Sequence, residues 1–155
     1  MKIKRTETPL PSGKFAVILA DPPWRYEFSE TDSRQIENQY PTMTLEEICA
    51  LNVPEIAADD SVLFLWTTSP KLEESFSVIA AWGFRYVTSM VWDKEHIGMG
   101  YYFRQQHELL LVAKRGALPV PDPSLRPSSV LRSARTVHSR KPEDLSGGLS
   151  EELRT

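Results

Sequence analysis

The chain has 155 residues, 41 % of them apolar, and a net charge of −3 at pH 7, enough for one domain around one buried core. No run approaches the roughly 18 apolar residues of a membrane span, and Met1 to Lys14 lacks the apolar stretch of a secretion signal, so a soluble, cytoplasmic protein is expected. A single cysteine, Cys49, excludes an intrachain disulfide and a multi-cysteine metal site, and three scattered histidines do not make a zinc cluster, so neither membrane nor metal is expected as a partner.

Phe15 to Ala20 reads FAVILA, a continuous apolar run that predicts a strand buried on both faces. It stops at Asp21-Pro22-Pro23-Trp24, where two prolines forbid strand or helix continuation. Residues 25 to 43 are polar and aromatic without a period and are expected as a long loop. Thr44 opens a helix: with Glu47 three residues on it makes a capping box, and Leu45, Ile48 and Leu51 supply the apolar face, with Cys49 as a packing residue. Ser61 to Thr67 (SVLFLWT) predicts a second buried strand. Pro70, favoured in a first turn, opens a helix to about Trp82, with Leu72, Phe76, Ile79 and Ala80 on one face and Gly83 as the stop signal. Phe84 to Trp92 is expected as a third strand, Asp93 to Gln106 as a loop with two glycines, and His107 to Lys114 as a fourth strand closed by Gly116. Residues 117 to 127 hold four prolines and read as an extended linker, and Ser128 to Arg132 as a short fifth strand.

Strands alternating with helices predict an α/β fold, with a mostly parallel sheet covered by helices on both faces. Ligands of such sheets bind beyond the carboxyl ends of the strands. Asp21 to Trp24, Thr67 to Pro70 and Asp93 to Gly100 all follow such ends, so three loops are expected on one rim.

The turn after the first strand carries chemistry. An exocyclic amine on an aromatic base is a poor nucleophile, because its lone pair is delocalised into the ring. Methylating it needs an acceptor that draws on the N–H bonds and lets the nitrogen become tetrahedral. Asp21 offers a carboxylate and Pro22 a carbonyl; the two prolines stiffen the turn, so both acceptors are aimed at little ordering cost. Trp24 offers a flat face for an extruded base. As a bare four-residue match, the same residues read equally well as a rigid turn with Trp24 plugging the core.

Charge is unevenly placed. Residues 1 to 113 carry ten Lys/Arg against sixteen Asp/Glu, whereas residues 114 to 141 carry seven Lys/Arg against Asp122 alone. Such a segment is either a phosphate-binding face, with Arg126, Arg132, Arg135 and Arg140 as its contacts, or a solvated loop. Trp66 and Trp82 are read as core and His96 as a solvent-exposed loop residue. His107 and His138 are weaker candidates for a role beside a ligand.

Taken together, the segments from Gly13-Lys14-Phe15-Ala16-Val17 through Asp21-Pro22-Pro23-Trp24, with Tyr40-Pro41-Thr42-Met43, Phe64-Leu65-Trp66, Trp92-Asp93-Lys94, His107-Glu108, Arg115-Gly116 and His138-Ser139-Arg140-Lys141-Pro142, resemble the family of the 70-kDa S-adenosylmethionine-binding subunit of mRNA adenosine methyltransferase. The resemblance runs from about Lys14 to Asp144. It implies a Rossmann-like methyltransferase domain that uses S-adenosylmethionine to methylate the exocyclic amine of adenine. The bacterial and phage members it resembles methylate adenine in DNA, often from prophages, so DNA is expected over RNA. By the resemblance Asp21, Pro22, Pro23 and Trp24 form the catalytic motif. It places Tyr40, Thr42 and Met43 in a loop bordering the acceptor site, and Trp92 and Lys94 at the start of a second. Glu108 matches an acidic position near the site, and Lys141, with Asp21, would hold the cofactor's amino-acid end.

The pattern departs from the family at the edges. No Gly-x-Gly-x-x-Gly follows a strand. After Asp144-Leu145 the sequence Ser146-Gly147-Gly148-Leu149-Ser150 does not match the family's further helix and strand, so the chain is expected to be truncated, one domain over 1–155 with an N-terminal arm (1–13) and a divergent tail (145–155). A family aspartate upstream of the first strand has no counterpart in residues 1 to 12. Two other readings stay open: a non-catalytic relative that binds nucleic acid or a partner, and an RNA adenine methyltransferase. The oligomeric state is not legible.

Overall fold

The structure, a computed structural model, describes residues 9–26, 41–135 and 141. Among the described residues five strands form one sheet: β1 (Phe15–Ala20), β2 (Ala57–Thr67), β3 (Arg85–Asp93), β4 (His107–Arg115) and β5 (Val130–Arg132). Their order across the sheet is β1-β2-β4-β3-β5. β1 pairs parallel with β2 and β3 parallel with β5, while β4 runs antiparallel to both of its neighbours. Four strands thus point one way and β4 the other. The carboxyl ends of β1, β2 and β3 and the amino end of β4 share one rim.

Among the described residues three short helices accompany the sheet: α1 (Leu45–Cys49), α2 (Val53–Ile56) and α3 (Leu72–Ala81). The capping box at α1 is formed as read: Glu47 N–H donates to Thr44 Oγ1 at 3.2 Å and Thr44 N–H to Glu47 Oε1 at 3.4 Å. A short 3-10 turn over Ser69–Lys71 takes Pro70, and α3 follows it. α2 is not foreseen; Pro54 sits in its first turn, where the missing N–H costs nothing.

β2 alternates cleanly. Leu63 and Leu65 face the helices with Ile48, Val53, Val78, Ile79 and Trp82, while Val62, Phe64 and Trp66 face away with Trp92 and Leu110. Full burial of each such side chain contributes about 1.5–3 kcal/mol. Trp66 and Trp82 are core residues, as read.

The cover of the sheet also differs from the reading. FAVILA does form a strand, but not one buried on both faces. Among the described residues β1 pairs only with β2, and Phe15 and Leu19 are 38 % and 51 % exposed. An apolar run shows that a strand expects cover, not that neighbours flank it on each side. The helices of the described residues pack on one face. The other is covered by the proline-rich segment after β4, through Leu118, and by Leu131 of β5.

Gly116 ends β4 at φ 70°, and there Asp60 Oδ1 accepts the Ala117 N–H at 2.7 Å. A Cβ at Gly116 would collide with the Asp59 carbonyl oxygen and the Asp60 carboxylate. Gly116→Ala should therefore lower unfolding stability by more than about 1 kcal/mol, read as a lower urea midpoint; an unchanged midpoint would show that the turn relaxes freely.

Candidate active site

β1 delivers Asp21 to the rim, and the prolines turn the chain there. Trp24 N–H donates to the Pro22 carbonyl and Met43 N–H to the Pro23 carbonyl, each at 2.9 Å. The second bond makes Trp24 and Met43 an isolated parallel bridge, and Arg25 Nε donates to Thr42 Oγ1 at 3.1 Å. Motif and the 41–43 segment are held as one piece.

Asp21 sits in a charged cluster. Lys141 Nζ lies 3.7 Å from Asp21 Oδ2 and 2.5 Å from Glu108 Oε1, and Lys94 Nζ lies 3.5 Å from Glu108 Oε2. Two carboxylates and two ammonium groups balance one another. Glu108 reaches the rim because β4 is reversed: its first residues stand beside the last ones of β3, with Glu108 opposite Trp92. The Glu108 side chain is 10 % exposed, and a carboxylate so buried requires paired cations; the two lysines supply them. The same lysines lie over aromatic rings, Lys141 4.8 Å from the Trp66 centroid and 5.6 Å from that of Trp92, and Lys94 6.0 Å from Trp92.

Asp21 is different: its side chain is 53 % exposed. Even so, the protein crowded around it raises its carboxyl above the ordinary value. Lys141 pulls the other way, and the Glu108 charge adds to the rise. A raised folded-state value means that this group favours the folded chain most when protonated, below the ordinary carboxylate range. That contribution is lost as pH rises through the folded value. Any chemistry that needs the carboxylate must then show an acidic limb above the ordinary aspartate range. Lys141→Met should move the Asp21 titration to still higher pH, because the cation that stabilises the carboxylate is gone. Carboxyl-carbon NMR titration checks this; coincident Asp21 curves for parent and variant would deny the coupling.

The other expected residues fall in different places. Trp24 is 8 % exposed, and its indole N–H donates to the Trp66 carbonyl at 3.0 Å. Trp92 is fully buried, edge-on to Trp66, with its N–H on the Ser133 carbonyl at 2.9 Å. Both rings are buried side chains that support the rim from beneath. Arg132 approaches Asp93 at 4.0 Å and is 75 % exposed, and Arg135 N–H bonds the Lys94 carbonyl, so these two arginines border the site. Arg126 does not join them; its Nε donates to the Pro121 carbonyl beside an apolar groove over the earlier half of β3. Tyr40, His138 and Arg140 lie outside the described residues.

Several rim residues escaped the sequence reading. Tyr26 OH and Thr68 Oγ1 share a hydrogen bond at 2.7 Å, and Lys71 Nζ lies 5.3 Å over the Tyr26 ring. Burial raises the Tyr26 phenol above its usual value, against the Thr68 bond and with reinforcement from Glu108 and Asp21, so it is neutral at pH 7. Ser69 Oγ and His107 Nε2 share a bond at 3.1 Å. The one signal in sequence was that Tyr26 follows the motif by two residues. Asp21 also lines a cleft of about 400 Å³ walled by Leu10, Phe15, Leu19, Pro22 and Trp82.

The MT-A70 family model matches residues 15–154, so the match continues past Asp144, where the residues alone showed no resemblance. Type II methyltransferase M.MunI of Mycoplasma sp is 36 % identical over 92 % of this chain and 69 % of that protein. N(6)-adenosine-methyltransferase subunit METTL3 of Danio rerio is 30 % identical over 87 % of this chain, which spans only 23 % of that protein. The Homo sapiens catalytic subunit METTL3 is 29 % identical over the same shares. With a family match over nearly its whole length and a bacterial relative above 30 % identity, the chain belongs to MT-A70, a Rossmann-like methyltransferase family.

Proposed function

We propose that this chain moves a methyl group from S-adenosylmethionine to the exocyclic amine of adenine, in DNA rather than RNA, in the cytoplasm. The observation that carries the reading is Asp21: a half-exposed carboxylate at a strand end, in a turn fixed by two prolines, coupled to Lys141 and lining an apolar cleft.

The residues present fit the cofactor. It has an apolar-faced adenosyl body and an amino-acid end carrying both an ammonium and a carboxylate. The cleft is walled by aliphatic and aromatic side chains together with Asp21, and the Lys141 ammonium lies 3.7 Å from the Asp21 carboxylate. Asp21 and Lys141 would hold the amino-acid end, the lysine as a point charge on the carboxylate. When bound, S-adenosylmethionine supplies the electrophilic methyl carbon. Asp21 accepts an N–H of the adenine amine, which frees the nitrogen lone pair from the ring. The Pro22 carbonyl, already accepting from Trp24 N–H, has a second lone pair for the other N–H. Lys141 and Glu108 keep Asp21 in place, and Arg132 and Arg135 border the site as phosphate contacts.

DNA is favoured because M.MunI, named a type II methyltransferase, shares more of this chain at higher identity than the N(6)-adenosine-methyltransferases do. RNA is the second reading, supported by those same relatives. The test is tritium transfer from labelled S-adenosylmethionine to matched adenine-containing DNA and RNA. Label in the adenine of DNA above RNA is expected; label in RNA alone would reverse the substrate, and label in neither would remove the enzymatic reading. If Arg132 and Arg135 hold phosphates, reversing their charge should flatten the fall of DNA affinity with salt.

A further inference from the structure

We propose that the tip of the β3–β4 loop is a stacking platform for unpaired nucleobases next to the target adenine, with Tyr102 and Phe103 as its faces. The proposal rests on nucleic acid being the substrate.

Tyr101, Tyr102 and Phe103 are 81 %, 91 % and 80 % exposed, three consecutive rings that contribute almost nothing to the core. The loop that raises them is nonetheless built. Lys94 N–H donates to the Gln106 carbonyl at 2.9 Å, Gly98 N–H to that of Gln105 at 2.8 Å, and Gln105 N–H to that of Met99 at 3.1 Å. Arg104 Nε closes it on the Gly98 carbonyl at 3.1 Å. Gly100 allows the tight approach, since a Cβ there would collide with the Phe103 carbonyl oxygen.

The tip is strained as well. Tyr102 has φ 63°, a region that a bulky side chain rarely enters. Gln105 Oε1 is buried without a hydrogen-bond partner. A strained aromatic that gains no burial is not explained by folding, and such strain collects where a chain meets its ligand. Tyr101 and Tyr102 meet edge to face, centroids 5.1 Å apart at 90°, which leaves ring faces available for stacking.

What the rings suit follows from their surroundings. The foot of the loop is Lys94, in the cluster with Glu108 and Lys141, and the chain beside it carries Arg132 and Arg135. Cations at the base and the exposed Tyr102 and Phe103 rings at the tip match a strand of phosphates with its bases turned outward. Every base has a π-face, so such a platform holds a strand without reading its sequence.

The test uses the full chain and two single-stranded probes, an oligodeoxynucleotide and an abasic strand of equal length and charge, followed by fluorescence anisotropy. The parent should prefer the strand with bases. Tyr102→Ala and Phe103→Ala should each weaken that preference by roughly 5- to 150-fold, the scale of one lost stacking contact. Affinity for the abasic strand and the salt slope should stay unchanged, and Tyr102→Trp should retain binding, with its fluorescence quenched by the base-containing strand only. A parent that methylates adenine yet binds both strands alike overturns the platform alone. A parent with the base preference but no transfer overturns the proposed function alone. Alanine variants that keep full preference, or that change the sedimentation of the chain because the rings join two copies, overturn the platform.

Discussion

Asp21→Asn is expected to lower the rate of methyl transfer by at least about a hundredfold, on the scale of removing one aimed electrostatic stabiliser, while the fold is retained. The side chain is half exposed at a strand end and holds no core contact that asparagine would break. Asparagine keeps the size and one acceptor oxygen but not the charge. With the cofactor saturating, the loss should fall on turnover more than on affinity for adenine, because positive charge develops on the amine nitrogen only as the new bond forms. An interaction that strengthens only there lowers the barrier without tightening ground-state binding. Lys141 keeps Glu108 as a partner at 2.5 Å, so the variant should not scatter the cluster. Tritium transfer to adenine-containing DNA under saturating cofactor, with circular dichroism on the same sample, reads both halves. A variant that transfers label as fast as the parent would make the motif a turn and nothing more.

The position of Asp21 was legible because three independent signals met: an apolar strand, a double-proline stop, and the rule that ligands sit at carboxyl ends of strands. Strand limits came out within a few residues for β1, β3, β4 and β5. β2 starts at Ala57, four residues before the apolar run, because Ala57 already pairs with Phe15 ahead of a register shift, and the exposed Asp59 and Asp60 lie within the irregular stretch between Ala57 and Val62. Periodicity cannot see such polar strand residues. The reversal of β4 was equally invisible: alternation gives faces, not direction, and it is this reversal that sets Glu108 on the rim. The pairing of Lys94 and Lys141 with Glu108 needs positions 14 and 33 residues from it in sequence to converge, and only the resemblance to a family hinted at it. The burial of the Trp24 ring was not legible for a general reason. A tryptophan beside a catalytic motif has both a flat face and a large apolar volume, and sequence does not say which one the fold uses.

For Trp24 the fold uses the volume, which sets the second large expected effect. Trp24→Ala should lose about 3–5 kcal/mol of stability, the range for emptying a buried large aromatic site. Against a total of about 5–15 kcal/mol for a domain, that leaves the chain near its unfolding threshold. The ring packs with the helix-face core, and its N–H supplies the Trp66 carbonyl at 3.0 Å, tying the turn after β1 to the end of β2. Trp24→Phe separates the two contributions. It restores most of the packing but leaves that buried carbonyl without its donor, a cost of about 1–3 kcal/mol. The expected order of urea midpoints is therefore parent, then Trp24→Phe, then Trp24→Ala. Methyl transfer by the phenylalanine variant should fall as well, because Asp21 is aimed by the same turn. If Trp24→Ala instead unfolds at the parent's midpoint and loses only affinity for adenine-containing DNA, the ring is a base-stacking face after all, and the turn holds its shape through the Pro22 and Pro23 carbonyl bonds alone.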